Sequence, residues 1–213
     1  MKDFIIQPPG FIQNSLKFLH WNFKSLNDVF LTFDDGPTPN VTLEVLDILE
    51  FYDVIATFFV IGRNVERHPE IYEKIIQRGM QVGNHTYSHL NGWKTDTSVY
   101  INDTKLAGQM IDSNLFRPPY GKIRAVQAVP LYKNYNLIMW DVLTKDYNPN
   151  TVPEQCFENV KKYTKNGSII VFHDSVKAYD NMIYALPRSI EYLKAKGFKL
   201  QTHIPHKKTV PSI

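Results

Sequence analysis

The 213 residues, of which 43% are apolar and 21% charged, have the size and composition of one globular domain, and this composition excludes a disordered or coiled-coil chain. A net charge of +3, spread along the chain, excludes the basic footprint of a nucleic-acid-binding protein. The single cysteine, Cys156, excludes an intrachain disulfide, and its place on an apolar helical stripe predicts a packed residue rather than a nucleophile. We expect one domain over residues 1–213.

Apolar runs alternate with helical patterns from residue 29 onward. The predicted strands are 29–33, 57–61, 81–84, 115–117, 137–140, 168–172 and 198–202. The predicted helices are 41–52, 69–78, 96–112, 123–134, 153–165 and 182–196. This alternation predicts a parallel sheet with right-handed crossovers. Because the chain is shorter than the roughly 250 residues of an eightfold barrel, we expect a distorted, incomplete (β/α) barrel with about seven parallel strands. An open doubly wound sheet is the alternative.

Polar side chains collect at the carboxyl ends of these predicted strands. They are Asp34, Asp35, His85, Arg117, Asp146 and His173. In parallel β/α folds this edge of the sheet carries the catalytic groups. The sequence therefore predicts a functional site at this edge.

Two pairs of residues predict a metal site. Asp34 and Asp35 follow a strand, so their side chains should point to opposite sides, one toward a metal and one free as a base. The alternative is a solvated turn that caps the next helix. His85 and His89 are four residues apart, a spacing that predicts one side of a helical turn, although two surface or core histidines are the alternative. With Asp35 they would form an Asp/His/His set with an open position, which suits Zn²⁺ or a similar ion.

Three further residues suit acid–base chemistry beside such a site. Arg117, ahead of two prolines, could pair with a catalytic carboxylate, or it could belong to a plain βα loop. His173 could act as a general acid, since its pKa would lie near working pH, or it could be a satisfied core histidine. Asp146 could orient that histidine or be a simple turn residue.

Aromatic residues near these motifs suit a sugar ring beside a polar cleft. Tyr120 and Tyr147 are the candidates for the cleft, whereas we expect Trp140 in the core.

Five motifs in fixed order carry a family resemblance. They are TFDDG at 32–36, HTYSH at 85–89, RPPYG at 117–121, DY at 146–147 and VFH at 171–173. Over about residues 28–203 the chain resembles polysaccharide deacetylases, carbohydrate esterase family 4. The resemblance implies a distorted barrel and a metal-dependent hydrolase that removes N-acetyl groups from N-acetylglucosamine-containing glycans, either chitin oligosaccharides or peptidoglycan, and releases acetate. The alternatives are an O-deacetylase of xylan or another polysaccharide, a sugar-binding module without the chemistry, and a hydrolase of small non-sugar amides.

The same resemblance implies a role for each residue of the metal site. Asp34 would be the general base that activates the hydrolytic water, and Arg117 would tether it. Asp35, His85 and His89 would hold the metal, which we expect to be Zn²⁺, with Co²⁺ as the alternative.

The remaining roles concern the oxyanion, the leaving group and the acetyl pocket. The resemblance implies that the Tyr120 N–H stabilises the oxyanion and that His173 protonates the leaving amine, tuned by Asp146. Tyr147 and Val171, together with Tyr120, would line the substrate pocket. The family usually has tryptophan at the first of these positions and leucine at the second, so we expect a more polar or slightly larger acetyl pocket.

The start of the sequence bears on location. Residues 1–10 lack an apolar h-region and a small-residue cleavage site, which predicts a cytoplasmic protein, or a periplasmic or secreted one if a leader has been removed. No window approaches the roughly 20 apolar residues of a membrane span. We expect a monomer whose partner is an acetylated glycan, with no nucleic-acid partner.

Overall fold

The computed structural model describes residues 6–10, 18–23, 27–200 and 203–205. Within them eight strands form one sheet in the order β1-β6-β5-β4-β3-β2-β8-β7, and every neighbouring pair is parallel. The strands are β1 Leu19–His20, β2 Phe30–Asp34, β3 Ala56–Val60, β4 Gln81–Asn84, β5 Leu115–Phe116, β6 Asn136–Ile138, β7 Val142–Leu143 and β8 Ile169–His173.

Helices connect the strands and cover the outer face of the sheet. They are α1 Val41–Phe51, α2 Gly62–Arg67, α3 Pro69–Gln77, α4 Thr97–Ala107, α5 Ala125–Tyr132, α6 Pro153–Tyr163 and α7 Tyr179–Ala195. Pro119–Gly121 forms one 3₁₀ turn. In β2, Leu31 and Phe33 pack in the same cluster as apolar residues of α1 and α7, whereas Phe30 packs in a different cluster. This alternation follows the two-residue period of a strand whose two faces are both buried.

The sheet curls until distant strands meet. Phe30, Phe59, Leu115, Ile138 and Ile169, which come from five different strands, pack together with Ile204 in one interior cluster. A flat sheet would hold the side chains of β6 and β8 about 24 Å apart, at a spacing of about 4.8 Å per strand. Asn22 follows β1, at one end of the sheet, and Ser168 precedes β8, near the other end. These two residues form an isolated antiparallel bridge. The expected incomplete barrel is confirmed, and it has eight strands.

The sequence prediction differs from the structure at the shortest elements. β1, β7 and α2 were not predicted, because their own residues form neither a continuous apolar run nor a clear helical period. The predicted strand 198–202 is wrong within the described residues: only Lys199 forms a bridge there, to Asp28, and residues 201 and 202 lie outside them. The predicted helix 96–112 is shorter in the structure: it ends at Ala107 and is followed by turns at residues 108–110. Across the described residues, no helix combines the length and apolarity that a bilayer span would require.

Candidate active site

All six polar residues predicted at the carboxyl edge lie there. Asp34 and His173 are the last residues of the adjacent strands β2 and β8, and they are directly paired in register. His85 follows β4 and Arg117 follows β5. Asp146 follows β7. The sequence analysis did not predict β7 and therefore assigned Asp146 to the end of the preceding strand.

Arg117 crosses the barrel interior to Asp34. Its side chain is fully buried, and its Nη1 donates to Asp34 Oδ1 at 2.7 Å and to Thr32 Oγ1 at 2.8 Å. Its other nitrogens donate to the carbonyls of Ile138 and Met139, and the ring of Phe59 lies 4.0 Å from the guanidinium carbon. Burial lowers the pKa of Arg117, and the Asp34 carboxylate opposes that effect. The ion pair fixes the orientation of Asp34.

Asp35 turns away from Asp34 and meets two imidazoles. The backbone of Asp35 is left-handed, with φ 85°, and its Oδ1 lies 3.1 Å from His89 Nε2 and 3.8 Å from His85 Nε2. One ligand atom from each of the three residues lies within 4.8 Å of the other two. Burial raises the pKa of Asp35, but the His89 hydrogen bond and the nearby imidazoles outweigh it, so that this pKa is well below its usual range. The carboxylate is therefore ionised, as a metal ligand must be.

His85 presents a defined nitrogen to this group. Its Nδ1–H donates to the Arg117 carbonyl at 2.7 Å, which leaves Nε2 directed at Asp35. Burial lowers the pKa of His85 to about 4, so the ring is neutral at working pH. A neutral imidazole with its second nitrogen hydrogen-bonded to a carbonyl is the usual state of a metal-bound histidine.

The predicted helical turn between the two histidines is wrong. Residues 85–90 form an irregular loop in which Thr86 and His89 have positive φ, 62° and 55°. Two side chains hold this loop. The buried Asn84 Oδ1 accepts the Thr86 N–H at 2.8 Å, and the half-buried Asp103 Oδ2 on α4 accepts two further N–H groups, from Tyr87 and Ser88, at 3.0 and 2.9 Å. Sequence analysis missed Asp103, since no local pattern predicts a contact between a helix and a distant loop.

His173 ends β8, on the opposite side of β2 from the strand that precedes His85 and His89. Its Nδ1–H donates to Asp146 Oδ1 at 2.8 Å, and its backbone N–H donates to Asp146 Oδ2 at 2.7 Å. Asn181 on α7 donates to the Asp146 carbonyl. Burial lowers the pKa of His173, but the Asp146 carboxylate outweighs it and raises this pKa to about 9. His173 is therefore a protonated imidazolium at neutral pH.

A cleft of about 620 Å³ opens above these groups. Tyr120, Tyr147 and Val171 line it, as the sequence analysis predicted. Leu143 and Trp140 line it as well. The half-buried Trp140 ring packs against two of the core clusters, as predicted, and it also reaches the cleft. The Tyr147 ring contacts His173 edge-on, at 4.8 Å between centroids, and the Tyr120 ring lies 4.6 Å from that of His89.

A buried carboxyl group supports the turn that carries Asp35. Asp174 accepts the Gly36 N–H at 3.1 Å, and its other oxygen lies 2.5 Å from Thr42 Oγ1 on α1. A Cβ at Gly36 would overlap this carboxyl group, which explains the glycine. Burial raises the pKa of Asp174 to about 8. Sequence analysis did not assign a role to Asp174.

The sequence of this chain is similar to those of known deacetylases. The polysaccharide deacetylase family matches residues 24–139. A peptidoglycan-N-acetylglucosamine deacetylase of Bacillus cereus is 33% identical over 189 residues, which cover 82% of this chain and 85% of that protein. A bifunctional xylanase/deacetylase of Pseudobutyrivibrio xylanivorans is 33% identical over 182 residues, which cover 82% of this chain and 29% of that protein.

Solved structures show the same fold. A peptidoglycan N-acetylglucosamine deacetylase in complex with 4-naphthalen-1-yl-N-oxidanyl-benzamide superposes with a TM-score of 0.80 at 30% identity, covering 90% of this chain and 92% of that one. A mutant of a pseudoenzyme of carbohydrate esterase family 4, with restored enzymatic activity, gives 0.76 at 27% identity, covering 85% and 68%. The sequence matches, the shared fold and the ordered motifs agree: the chain belongs to the polysaccharide deacetylase family.

Proposed function

We propose that this chain is a metal-dependent deacetylase that hydrolyses N-acetyl groups of N-acetylglucosamine-containing glycans, chitin oligosaccharides or peptidoglycan, and releases acetate. One observation carries the proposal. A possible metal-binding triad, an arginine-paired carboxylate and a carboxylate-paired imidazolium face one cleft at the carboxyl edge of the sheet. These are the groups that amide hydrolysis requires: an electrophile, a base and an acid.

Asp35, His85 and His89 fit a divalent metal. They supply one anionic oxygen and two imidazole nitrogens, with the His85 tautomer fixed by the Arg117 carbonyl. This donor set suits Zn²⁺, with Co²⁺ as the alternative. When bound, the ion would polarise the amide carbonyl and lower the pKa of water at its open position toward about 7.

Asp34 and His173 divide the proton transfers. Asp34, held by Arg117, takes a proton from the attacking water, whose oxygen forms a bond to the acetyl carbon. The C–N bond then breaks as the His173 imidazolium delivers its proton to the amine nitrogen. Asp146 acts through His173, since it keeps the ring charged and oriented. Acetic acid, which carries the second proton of the water and ionises to acetate in solution, and a free amine leave, and the proton on Asp34 restores His173.

The acetyl group would lie against the apolar end of the cleft. Val171 and Leu143, on the adjacent strands β8 and β7, line it beside Tyr147. Tyr120 has a left-handed backbone, with φ 60°, in the turn that begins at Pro118. We infer that its N–H faces the oxyanion that forms on the acetyl oxygen.

An O-deacetylase of acetylated xylan or another polysaccharide is the second candidate. The relative named as a bifunctional xylanase/deacetylase favours it. The same groups would serve, because an ester is an easier substrate than an amide. The sugar-binding module is disfavoured, since all the catalytic and ligand positions are present, and the open cleft disfavours a small non-sugar amide.

Acetate release from a substrate panel tests the proposal. The panel contains chitin oligosaccharides, peptidoglycan fragments and acetylated xylan, each assayed with a chelator and with added Zn²⁺ or Co²⁺. We expect metal-dependent release that is faster from the N-acetylated glycans. Faster release from xylan would favour the O-deacetylase, and no release from any glycan with metal present would overturn the assignment.

A further inference from the structure

Two lysines line the cleft, and within the described part of the chain neither has a carboxylate partner. Lys122 follows the 3₁₀ turn after β5, and Lys177 follows β8. In the sheet order β5 and β8 lie on either side of β4, β3 and β2, so the two lysines come from opposite sides of the strands that precede Asp35 and the two histidines. Among the described residues neither lysine forms an ion pair, in contrast to Lys161 and Lys165.

Aromatic rings hold these lysines instead. The Lys122 ammonium lies 5.4 Å from the ring centroid of Trp93, and the Lys177 ammonium lies 5.8 Å from that of Tyr147. Trp93 is 62% exposed, and its Nε1–H donates to the Ile123 carbonyl at 3.4 Å. A cation–π contact orients an ammonium group but leaves its charge without a counter-ion. Both lysines are therefore positioned and electrostatically unpaired.

The rest of the cleft does not neutralise them. Its acidic lining residues are Asp34 and Asp35, and both are engaged, the first by Arg117 and the second by the imidazoles. His173 adds a further positive charge, which Asp146 balances. A cleft that carries two unpaired cations attracts anionic ligands by electrostatic complementarity.

We propose that Lys122 and Lys177 recognise carboxylate groups of the glycan, so that the preferred substrate is an N-acetylated glycan that carries carboxylates. This inference rests on the proposed deacetylase function and selects within it. A neutral oligosaccharide offers no partner to either ammonium group, whereas a lactyl, peptidyl or uronic carboxylate pairs with it. Trp93 is a positioning residue that holds Lys122.

The test compares two substrates that differ at the lactyl group, which is anionic in one and neutral in the other. One is a tetrasaccharide of alternating N-acetylglucosamine and N-acetylmuramic acid, and the other is the same tetrasaccharide with its lactyl carboxylates converted to methylamides. For the wild type we expect the higher kcat/KM on the acid. Lys122→Gln and Lys177→Gln should each lower the acid-to-methylamide ratio about threefold, and the double variant about tenfold, chiefly through KM, as expected for solvent-exposed ion pairs. Lys122→Arg and Lys177→Arg should keep the ratio, and high salt should reduce it.

Two controls separate the possible causes. Lys74→Gln, on the outer helix α3 and absent from the cleft lining, should leave the ratio unchanged. An oligosaccharide of alternating N-acetylglucosamine and glucuronic acid distinguishes a ring carboxylate from a lactyl one as the group recognised. A wild-type ratio of one or less, or a ratio that the double variant does not change, overturns the inference while release from the methylamide keeps the deacetylase assignment. No release from any of these substrates overturns both.

Discussion

The charge of each side chain at the cleft follows from what that side chain touches. Asp34 faces a guanidinium at 2.7 Å, Asp35 faces two imidazoles, and His173 faces the buried Asp146. Two adjacent carboxylates can thus serve different purposes, because each has its own positive or hydrogen-bonding partner. The proposed division of roles between Asp34 and Asp35 agrees with the left-handed backbone of Asp35, whose φ is 85°.

Asp34→Asn tests the base without disturbing the triad. The amide keeps the shape of the side chain but cannot accept a proton, so we expect acetate release to fall by about 10²- to 10⁴-fold. Zn²⁺ binding should persist, because Asp35, His85 and His89 are unchanged. Acetate release and Zn²⁺ titration measure the two properties. Asp47→Asn, at an exposed ion pair with Arg78, is the matched control and should retain activity.

The mechanism is contradicted if Asp34→Asn keeps most of the wild-type rate. If the variant instead loses both metal and activity, Asp34 belongs to the metal site rather than to the proton transfer, and the proposed roles of the two aspartates are wrong.

The pH–rate profile tests His173. Because an acid must be protonated, activity should fall as pH rises through the pKa of His173, which Asp146 raises to about 9. Asp146→Asn removes the carboxylate and leaves the burial, which lowers an imidazole pKa. The alkaline limb of kcat/KM should therefore move to lower pH, although Asp34 and Asp35 still raise the pKa of His173 in the variant.

Asp180→Asn, an exposed carboxylate in the first turn of α7, provides the control and should leave the alkaline limb in place. An Asp146→Asn profile that superimposes on the wild-type profile would show that the alkaline limb belongs to another group.

At the scale of elements, the irregular loop 85–90 shows how a correct prediction can rest on a wrong local structure. The spacing of His85 and His89 predicted neighbouring imidazoles, and their ring centroids are 5.1 Å apart. The neighbours meet because the loop folds back on itself through left-handed residues, with its amides bound to Asp103, and no helix is involved. The position of His89 thus depends on a carboxylate of α4.

Asp103→Ala should loosen the metal site without changing any proposed ligand. Its carboxylate accepts two loop N–H groups, so its loss frees the segment that carries His89. Residues that orient metal ligands typically account for about 10- to 100-fold in metal affinity, and we expect Zn²⁺ affinity to fall by that factor in a chelator competition.

Asn102→Ala, an exposed neighbour on the same helix, is the matched control and should bind Zn²⁺ as the wild type does. Unchanged affinity in Asp103→Ala would mean that the histidines are held in place by other contacts.

At the scale of the whole molecule, the sequence predicted the barrel because its central strands are short, continuous apolar runs. β2, β3 and β8 are buried along nearly their whole length, and this pattern marks a parallel sheet. The two-residue strands β1 and β7 are held by pairing with β6 and β8 rather than by their own composition, so no local pattern predicts them. The run 198–202 shows the converse, since it has a strand-like pattern but within the described residues only Lys199 forms a bridge there.

The site was predictable where residues lie in motifs and unpredictable where they act across the fold. Asp34, Asp35, His85 and His89 lie in short runs at strand ends. Asp103, Asp174 and the exposure of Trp140 toward the cleft depend on which distant elements meet. Such contacts follow from the curl of the sheet, which the sequence indicates only as a fold class.

A metal held by the proposed triad would connect parts of the barrel that separate on unfolding. Asp35 follows β2, and the two histidines follow β4, with β3 between these strands. A ligand that binds only the native state stabilises it by about 2.7 kcal/mol at a concentration of 100 Kd. For a chain of this length, each kcal/mol raises Tm by about 2–4 °C.

Saturating Zn²⁺ should therefore raise the Tm of the whole chain by about 5–11 °C, and a chelator should reverse the increase. His89→Ala should lose most of the response, because it removes one of the three donors. His68→Ala, outside the cleft and between α2 and α3, should retain the full response and controls for nonspecific binding to histidine. Thermal unfolding followed by circular dichroism measures each shift. An equal response in His89→Ala and the wild type would place the stabilising ion elsewhere, and with it the electrophile of the proposed reaction.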